Sequence, residues 1–146
     1  ILVNKTQNKR LEKLSDVNSI CHPLRLMSLN KFNASSFKKV LLPKSNLSQS
    51  NDINILKSKV IDFPIIIKNN ITINKTYVTL PEPLSLIYTI CFLISSSIRN
   101  IKLVGFEGYK KSDQFQDKTQ EFFSILIKKY NGLKISSLTK TNFKLN

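Results

Sequence analysis

The sequence has few of the residues on which several common kinds of functional site depend. Glycine occurs only three times in 146 residues, so the chain has no glycine-rich loop of the kind that wraps a phosphate group. His22 is the only histidine, which excludes a metal site built from several imidazoles. Cys21 and Cys91 lie far apart and match no paired spacing of zinc or redox sites. We therefore expect neither a metal nor a cofactor.

The sequence predicts neither a signal peptide nor a membrane-spanning segment. No basic and then apolar stretch with a small-residue cleavage site is visible. The longest apolar segment, residues 84–98, is interrupted by serines and shorter than the roughly 20 residues of a membrane span. The two cysteines suit a reducing compartment, so we expect a cytoplasmic protein. The chain opens without methionine on a strand-like Ile1–Val3, from which we expect a piece of a longer protein.

Basic residues greatly outnumber acidic ones, and the formal net charge is +14. Such a charge is typical of nucleic-acid-binding modules. However, arginine occurs only at positions 10, 25 and 99, and aromatic residues are not interleaved with the lysines. Guanidinium forks and stacking surfaces are therefore missing, and a genome rich in A and T would raise the lysine content without selection for binding. We disfavour nucleic acid as a partner, while an anionic small molecule is compatible with the charge.

An apolar helix followed by a buried strand dominates the second half of the sequence. Apolar side chains at i, i+3, i+4 and i+7 spacing predict a helix over residues 84–98. The apolar run Ile101–Val104 ends at a glycine and predicts a short buried strand. Residues 105–109 then follow the carboxyl end of that strand, where open α/β sheets place their ligand crevices. If the chain has a binding site, we expect it there.

The remaining pattern alternates short strands with helices. Strands are predicted at 17–21, 37–42 and 133–136, and Pro64 makes the apolar stretch 60–67 an edge strand or a strand start. Residues 71–80 are predicted as a further extended segment or a hairpin-like excursion. The other predicted elements are a brief helix after His22, helices at 113–130 and weakly at 7–16, and a surface loop at 44–54. Alternation of this kind is typical of α/β proteins. We predict one three-layer α/β domain over residues 1–146, with a mainly parallel, Rossmann-like sheet that lacks its first strand.

Three parts of the sequence resemble one known family of domains. They are the segment Val104–Tyr109 (Val-Gly-Phe-Glu-Gly-Tyr), the helix before it and the late Ser136–Thr139. They resemble the carboxy-terminal domain of bacterial aldolase-type, hydroxymethylglutaryl-CoA-lyase-like proteins of surface-polysaccharide gene clusters. The turn Cys21–Arg25 also matches an element of that family, so the similarity covers about residues 17–145. More distantly, the chain is similar to lipooligosaccharide sialyltransferases and to motility-accessory-factor-like α/β domains.

The resemblance implies a sugar-related or nucleotide-sugar-related domain of cell-surface polysaccharide biosynthesis that is glycosyltransferase-like. It also implies a nucleotide sugar as ligand and an aldolase-type barrel domain as partner. Glu107 replaces the usual aspartate of the family pattern, and Lys140 replaces a proline. No histidine follows His22, so the catalytic histidine of the sialyltransferases has no counterpart, and catalysis by this domain stays open.

The candidate ligand-binding residues are His22, Arg25, Gly105, Glu107, Gly108 and Tyr109. Flanking glycines allow the backbone at Glu107 to approach a ligand closely, and its carboxylate can accept hydrogen bonds from ribose or sugar hydroxyls. The alternative is a loop carboxylate that pairs with a lysine or caps the next helix. Tyr109 is either a stacking residue or part of the core.

The two upstream candidates have alternatives of the same kind. His22 is a general base or a structural turn histidine, and Arg25 is a phosphate ligand or a member of a surface ion pair. A transferase-like site predicts that Glu107, Tyr109 and Arg25 converge on one pocket. An accessory domain that binds an aldolase predicts an exposed apolar patch at the same edge instead. A basic nucleic-acid-binding module is the weaker alternative and predicts strongly salt-dependent binding.

Overall fold

The computed structural model describes residues 1–3, 15–27, 35–49, 53–109 and 113–145. The predicted weak helix at 7–16 lies mostly outside these ranges. The chain divides into two compact units, Ile1–Ser95 and Ser96–Asn146, which we treat separately. The single domain over residues 1–146 stays a prediction.

Four short parallel strands form the main sheet of the first unit. They are β1 (Leu2–Val3), β2 (Asn18–Ser19), β3 (Val40–Leu42) and β4 (Val60–Asp62), paired in chain order. The side chains of β3 are buried throughout, as expected for an unbroken apolar strand with a neighbour on each side. The strands predicted at 17–21 and 37–42 are confirmed in shorter form.

Short helices connect these strands and cover one face of the sheet. They are α1 (Pro23–Met27), a 3-10 helix (Lys44–Gln49) and α2 (Ile53–Lys57). Their buried leucines pack with strand residues in one apolar cluster: Ile20, Leu26, Phe37, Val40, Leu42, Leu47 and Leu56. The prediction of a surface loop at 44–54 is therefore wrong, because Leu47 anchors a 3-10 helix and α2 begins within the same stretch.

A second, mixed sheet of the first unit contains β5 (Ile65–Ile67), β6 (Thr72–Ile73) and β7 (Val78–Leu80). Strand β7 lies in the middle, parallel to β5 and antiparallel to β6, which confirms the hairpin-like excursion at 71–80. Residues 60–67 are divided between two sheets, and β5 begins directly after Pro64 at an edge of its sheet, which confirms the edge strand or strand start predicted from this proline. Pro64 lies at the break and has no N–H group to donate to a continuing ladder.

Helix α3 (Ser85–Ser95) covers the other face of the four-stranded sheet. The Thr89 and Ser19 hydroxyl oxygens lie 2.7 Å apart, and Ser19 precedes Ile20 of the apolar cluster. Since successive strand residues point to opposite faces, α3 and the cluster lie on opposite sides of β2. The helix ends before the predicted residue 98, because Ser97 adopts a left-handed backbone conformation with φ of 65°.

The second unit has the order β8 (Asn100–Leu103), α4 (Gln114–Lys129), β9 (Lys134–Ser137). The two strands are parallel and in register from Asn100 with Lys134 to Leu103 with Ser137. Asp113 caps α4 by accepting a hydrogen bond from the Phe115 N–H at 2.9 Å. The helix predicted at 113–130 and the strands predicted on both sides of it are confirmed.

The expected three-layer α/β fold with one Rossmann-like, mainly parallel sheet is wrong. In the described ranges the strands form three small sheets of four, three and two members, and the three-stranded sheet is mixed. Strands of two to four residues make few ladder bonds, and a proline separates two of the sheets. Within the described ranges, no helix is long and apolar enough to cross a bilayer.

Candidate functional site

The predicted glycine loop lies at the carboxyl end of β8, and a second loop leaves β9 at the same edge. Strand pairing continues one step past the strands, since the Leu138 N–H donates to the Leu103 carbonyl at 2.9 Å. Residues 104–109 and 138–143 are therefore neighbours, which we call the β8 loop and the β9 loop. Parallel strands in register bring these loops together.

The first link between the two loops is at Gly105. Its N–H donates to Thr139 Oγ1 at 2.9 Å, and the Thr139 carbonyl accepts a hydrogen bond from the Ser137 hydroxyl at 2.7 Å. Gly105 has φ of 69°, a conformation in which glycine is not strained. This glycine turns the chain sharply at the end of the strand.

The second link runs through Gln116, a buried residue of the first turn of α4. Its Oε1 accepts from the Tyr109 N–H at 2.9 Å, and its Nε2 donates to the Asn142 carbonyl at 3.3 Å. The Asn142 N–H in turn donates to the Glu107 carbonyl at 2.7 Å. One glutamine side chain thus fixes both loops to the start of the helix.

Gly108 is required by this arrangement. Its φ is 102°, and an added Cβ would lie 2.8 Å from Gln116 Oε1 and 3.3 Å from the Phe143 ring. Glycine therefore does permit the close approach expected from the sequence. The groups that approach Gly108 are side chains of this chain, Gln116 and Phe143, whereas the sequence predicted the approach of a ligand.

The Glu107 carboxylate is exposed at the tip of the β8 loop. Within the described ranges it makes no hydrogen bond or ion pair, and Asp113 takes the role of capping α4. The backbone of Glu107 is fixed by Asn142, so the carboxylate is carried by an ordered loop. Its oxygens are available to hydroxyl or ammonium donors.

Aromatic side chains support the two loops. The Tyr109 ring is half-buried, with its centroid 5.8 Å from that of Phe115. Phe143 of the β9 loop lies 5.2 Å from Phe123 and 6.1 Å from Phe106, centroid to centroid. These contacts hold the β8 loop against the helix.

His22 and Arg25 belong to the first unit, whereas the other four candidates lie in the second. His22 Nδ1 accepts a hydrogen bond from the Leu24 N–H at 3.2 Å, as a histidine in a structural turn does. Arg25 lies in α1, and its side chain is outside the described part of the chain. The structure thus brings Gly105, Glu107, Gly108 and Tyr109 together in one loop. Convergence of the upstream pair on that loop stays a prediction.

The two cysteines are buried and free. Burial raises the pKa of the Cys21 thiol to about 11, and its Sγ donates to the Pro83 carbonyl at 3.0 Å. Burial also raises the pKa of Cys91. A protonated, buried thiol is a poor nucleophile and a poor metal ligand. Among the residues that the structure describes, no group of three His, Cys, Asp or Glu side chains lies together.

Gln116, Thr139 and Asn142, which hold the two loops, were not among the candidates predicted from the sequence. A signal for one of them was present: Asp113 and Gln116 have the spacing of a capping box, in which a polar side chain at the third helical position folds back. Gln116 does fold back, but it reaches Tyr109 and Asn142. Thr139 and Asn142 lie in a polar tail without a distinctive pattern.

Comparisons with models of known protein families, with curated proteins and with solved structures find no match. The resemblance to the aldolase-associated domains and to the sialyltransferases therefore stays a prediction. The geometry of the two loops is the basis for a functional hypothesis.

Proposed function

We propose that this chain is a sugar- or nucleotide-sugar-binding domain of cell-surface polysaccharide biosynthesis, with its ligand at the β8 loop. The observation that carries the proposal is the exposed Glu107 carboxylate, which has no partner among the described residues. A carboxylate beyond the end of a parallel strand is well placed to accept hydrogen bonds from the hydroxyls of a ribose or sugar.

The fixed conformation of the β8 loop supports this proposal. Gly105 is tied to Thr139, and Tyr109 is tied to Gln116, so both ends of the loop are fixed on either side of Glu107. A fixed loop loses little conformational entropy when a ligand binds, and more of the interaction energy then appears as affinity. Preorganisation of this kind is typical of binding sites.

The basic surface supports an anionic ligand. Lys140 lies in the β9 loop, Lys102 lies on β8 two residues before the β8 loop, and both are exposed. Ammonium groups on flexible side chains can neutralise a diphosphate while Glu107 binds neutral hydroxyls. The proposal therefore assigns the sugar or ribose to the carboxylate and the phosphates to lysines.

The test is a binding screen by thermal shift and calorimetry against CMP, UDP and GDP sugars and the free nucleotides. We expect one nucleotide class to bind, and Glu107→Gln to weaken that binding about tenfold because a charge-assisted hydrogen bond is lost. Glu121→Gln is the matched control, since Glu121 is an exposed carboxylate on α4. Equal affinity in Glu107→Gln, or no binding by any compound, would contradict the proposal.

A second candidate function is a non-catalytic accessory domain that binds another protein, such as an aldolase-type barrel. The observation that favours it is the exposure of Val104 and Leu138, which are 68% and 65% exposed at the edge from which the two loops leave. If this function holds, Val104→Asp with Leu138→Asp abolishes binding of the protein partner, whereas Glu107→Gln leaves that binding unchanged. Unchanged partner binding in the double variant would contradict it.

A further inference from the structure

The two-stranded sheet of the second unit has one buried and one exposed face. Along β8, Ile101 and Leu103 are buried, whereas Asn100 and Lys102 are exposed. Their partners on β9 repeat the pattern, with Ile135 buried and Lys134 exposed. Because strand residues alternate between faces, the exposed residues share one side of the sheet.

Apolar residues lie at both ends of this exposed side. Val104 and Leu138 are the next pair beyond the register of Leu103 with Ser137, and both are largely exposed. Ile98, two residues before Asn100, is 42% exposed. We call this side the outer face: Ile98, Asn100, Lys102, Val104, Lys134, Ser136 and Leu138.

An exposed face is unusual for a parallel pair. Parallel strands occur almost only in sheets that are covered on both faces, and the covering elements are helices. Antiparallel sheets commonly leave one face in water, but β8 and β9 are parallel. The outer face therefore has the geometry of a surface that a helix covers.

The charge of the outer face selects among possible covering helices. Lys102 and Lys134 lie between the apolar ends, and none of the seven outer-face residues is acidic. A second copy of the chain in a two-fold arrangement would place lysines against lysines, which is unfavourable. A helix with leucine-like residues on one side and carboxylates beside them complements both the apolar and the basic parts.

We propose that the outer face binds an acidic amphipathic helix contributed by another polypeptide. This inference specifies the partner class for the accessory function and rests on that function. It shares Lys102 with the lysines proposed to bind phosphate, but the Glu107 carboxylate on which the sugar proposal depends is not part of the outer face. Glu107→Gln therefore tests the sugar site and Val104→Asp with Leu138→Asp tests the outer face, so the two proposals can fail independently.

The first test uses two synthetic helical peptides that share a leucine face. One peptide has glutamates and the other has lysines on the flanking positions, and binding to the intact chain is measured by fluorescence anisotropy. We expect the acidic peptide to bind at least about tenfold more tightly, with an advantage that shrinks as salt is raised and the charges are screened. Equal affinities of the two peptides would overturn the proposal.

The second test uses variants of exposed residues, which leave the core intact. Val104→Asp with Leu138→Asp should weaken acidic-peptide binding at least about tenfold. Leu24→Asp is the matched control, since Leu24 is 66% exposed in the other unit, and it should change nothing. Lys102→Glu with Lys134→Glu should reverse the preference in favour of the basic peptide. Unchanged binding in both double variants would overturn the proposal.

Three further outcomes would overturn the proposal in identifiable ways. A dimer in sedimentation velocity that Val104→Asp dissociates would show that a second copy covers the outer face. A strong loss of thermal stability in Val104→Asp would show that the chain itself covers this face. If a purified protein partner binds through Val104 but the peptides show no charge preference, the accessory function survives and the acidic helix does not.

Discussion

Strand β3 of the first unit and strand β8 of the second are both short and each pairs with parallel neighbours, yet their side chains differ in exposure to solvent. Val40, Leu41 and Leu42 are all fully buried, whereas β8 alternates buried apolar residues with exposed Asn100 and Lys102. An unbroken apolar strand has cover on both faces, and an alternating strand has cover on one. The first unit therefore completes a core around its sheet, while the second leaves a face available for binding.

The largest effect is expected from a change in the strand covered on both faces. Leu41→Ala should lower the free energy of unfolding by about 3 kcal/mol, because it leaves a cavity in a close-packed core. Leu138→Ala, at the exposed edge of the second unit, should change it by less than about 0.5 kcal/mol. Urea denaturation followed by circular dichroism measures both values. Similar losses of stability in the two variants would contradict the inferred difference in burial between β3 and the exposed edge of the second unit.

A second effect should appear in alkaline solution, since both cysteines belong to the first unit. Burial raises the pKa of Cys21 from 9.0 to about 11, so the folded chain holds this proton more tightly than the unfolded chain. Stability is then complete below about pH 9 and falls as the pH rises toward 11, by about 2 to 3 kcal/mol.

The control for this pH effect is Cys21→Ser, which keeps a donor for the Pro83 carbonyl but has no thiol to ionise. Its urea midpoint should fall less than that of the wild type between pH 9 and 11. Parallel curves for the two proteins would show that this thiol does not contribute to the loss.

The second unit depends more on its loops, and Gly108→Ala tests that dependence. The substitution places a Cβ 2.8 Å from Gln116 Oε1 at a positive φ, so we expect a loss of about 2 kcal/mol. Gly105→Ala has the same kind of backbone conformation but nothing within 4 Å, and should cost about 1 kcal/mol. Thermal unfolding of the two variants separates backbone strain from crowding. A larger loss in Gly105→Ala would contradict the role of Gln116.

The smallest effect is expected from one hydrogen bond in the first unit. The buried Tyr88 hydroxyl donates to the Phe63 carbonyl at 2.8 Å, and Tyr88→Phe leaves that carbonyl without this donor. We expect a loss of about 1 kcal/mol. Tyr77→Phe, at a half-buried tyrosine, should be close to neutral in the same urea titration. A larger loss of stability in Tyr77→Phe than in Tyr88→Phe would contradict the contribution assigned to the Tyr88 hydrogen bond.

Local elements could be predicted from the sequence where a pattern was long or sharply ended. The periodicity of α4 and the turn signals around β6 and β7 gave elements within a few residues of those observed. The arrangement of strands into three sheets could not be predicted in this way. It depends on which strands pair, and strands of two or three residues carry too little pattern to specify partners.

For the candidate site, the sequence placed Glu107 and its glycines in a loop after a strand, and the structure has them there. It did not reveal that Gln116 holds this loop, because a side chain that bonds to distant backbone groups leaves no periodic signal. Nor could a sequence pattern show that Val104 and Leu138 become exposed neighbours. That juxtaposition follows from the register of β8 with β9.

Ser97 is the one described non-glycine residue with a positive φ, and it lies just after α3. This conformation limits how the position can vary in evolution. Glycine and asparagine adopt it readily, whereas a β-branched side chain there clashes with its own backbone. Natural relatives of this chain are therefore expected to carry glycine, asparagine or serine at this position and to avoid valine, isoleucine and threonine.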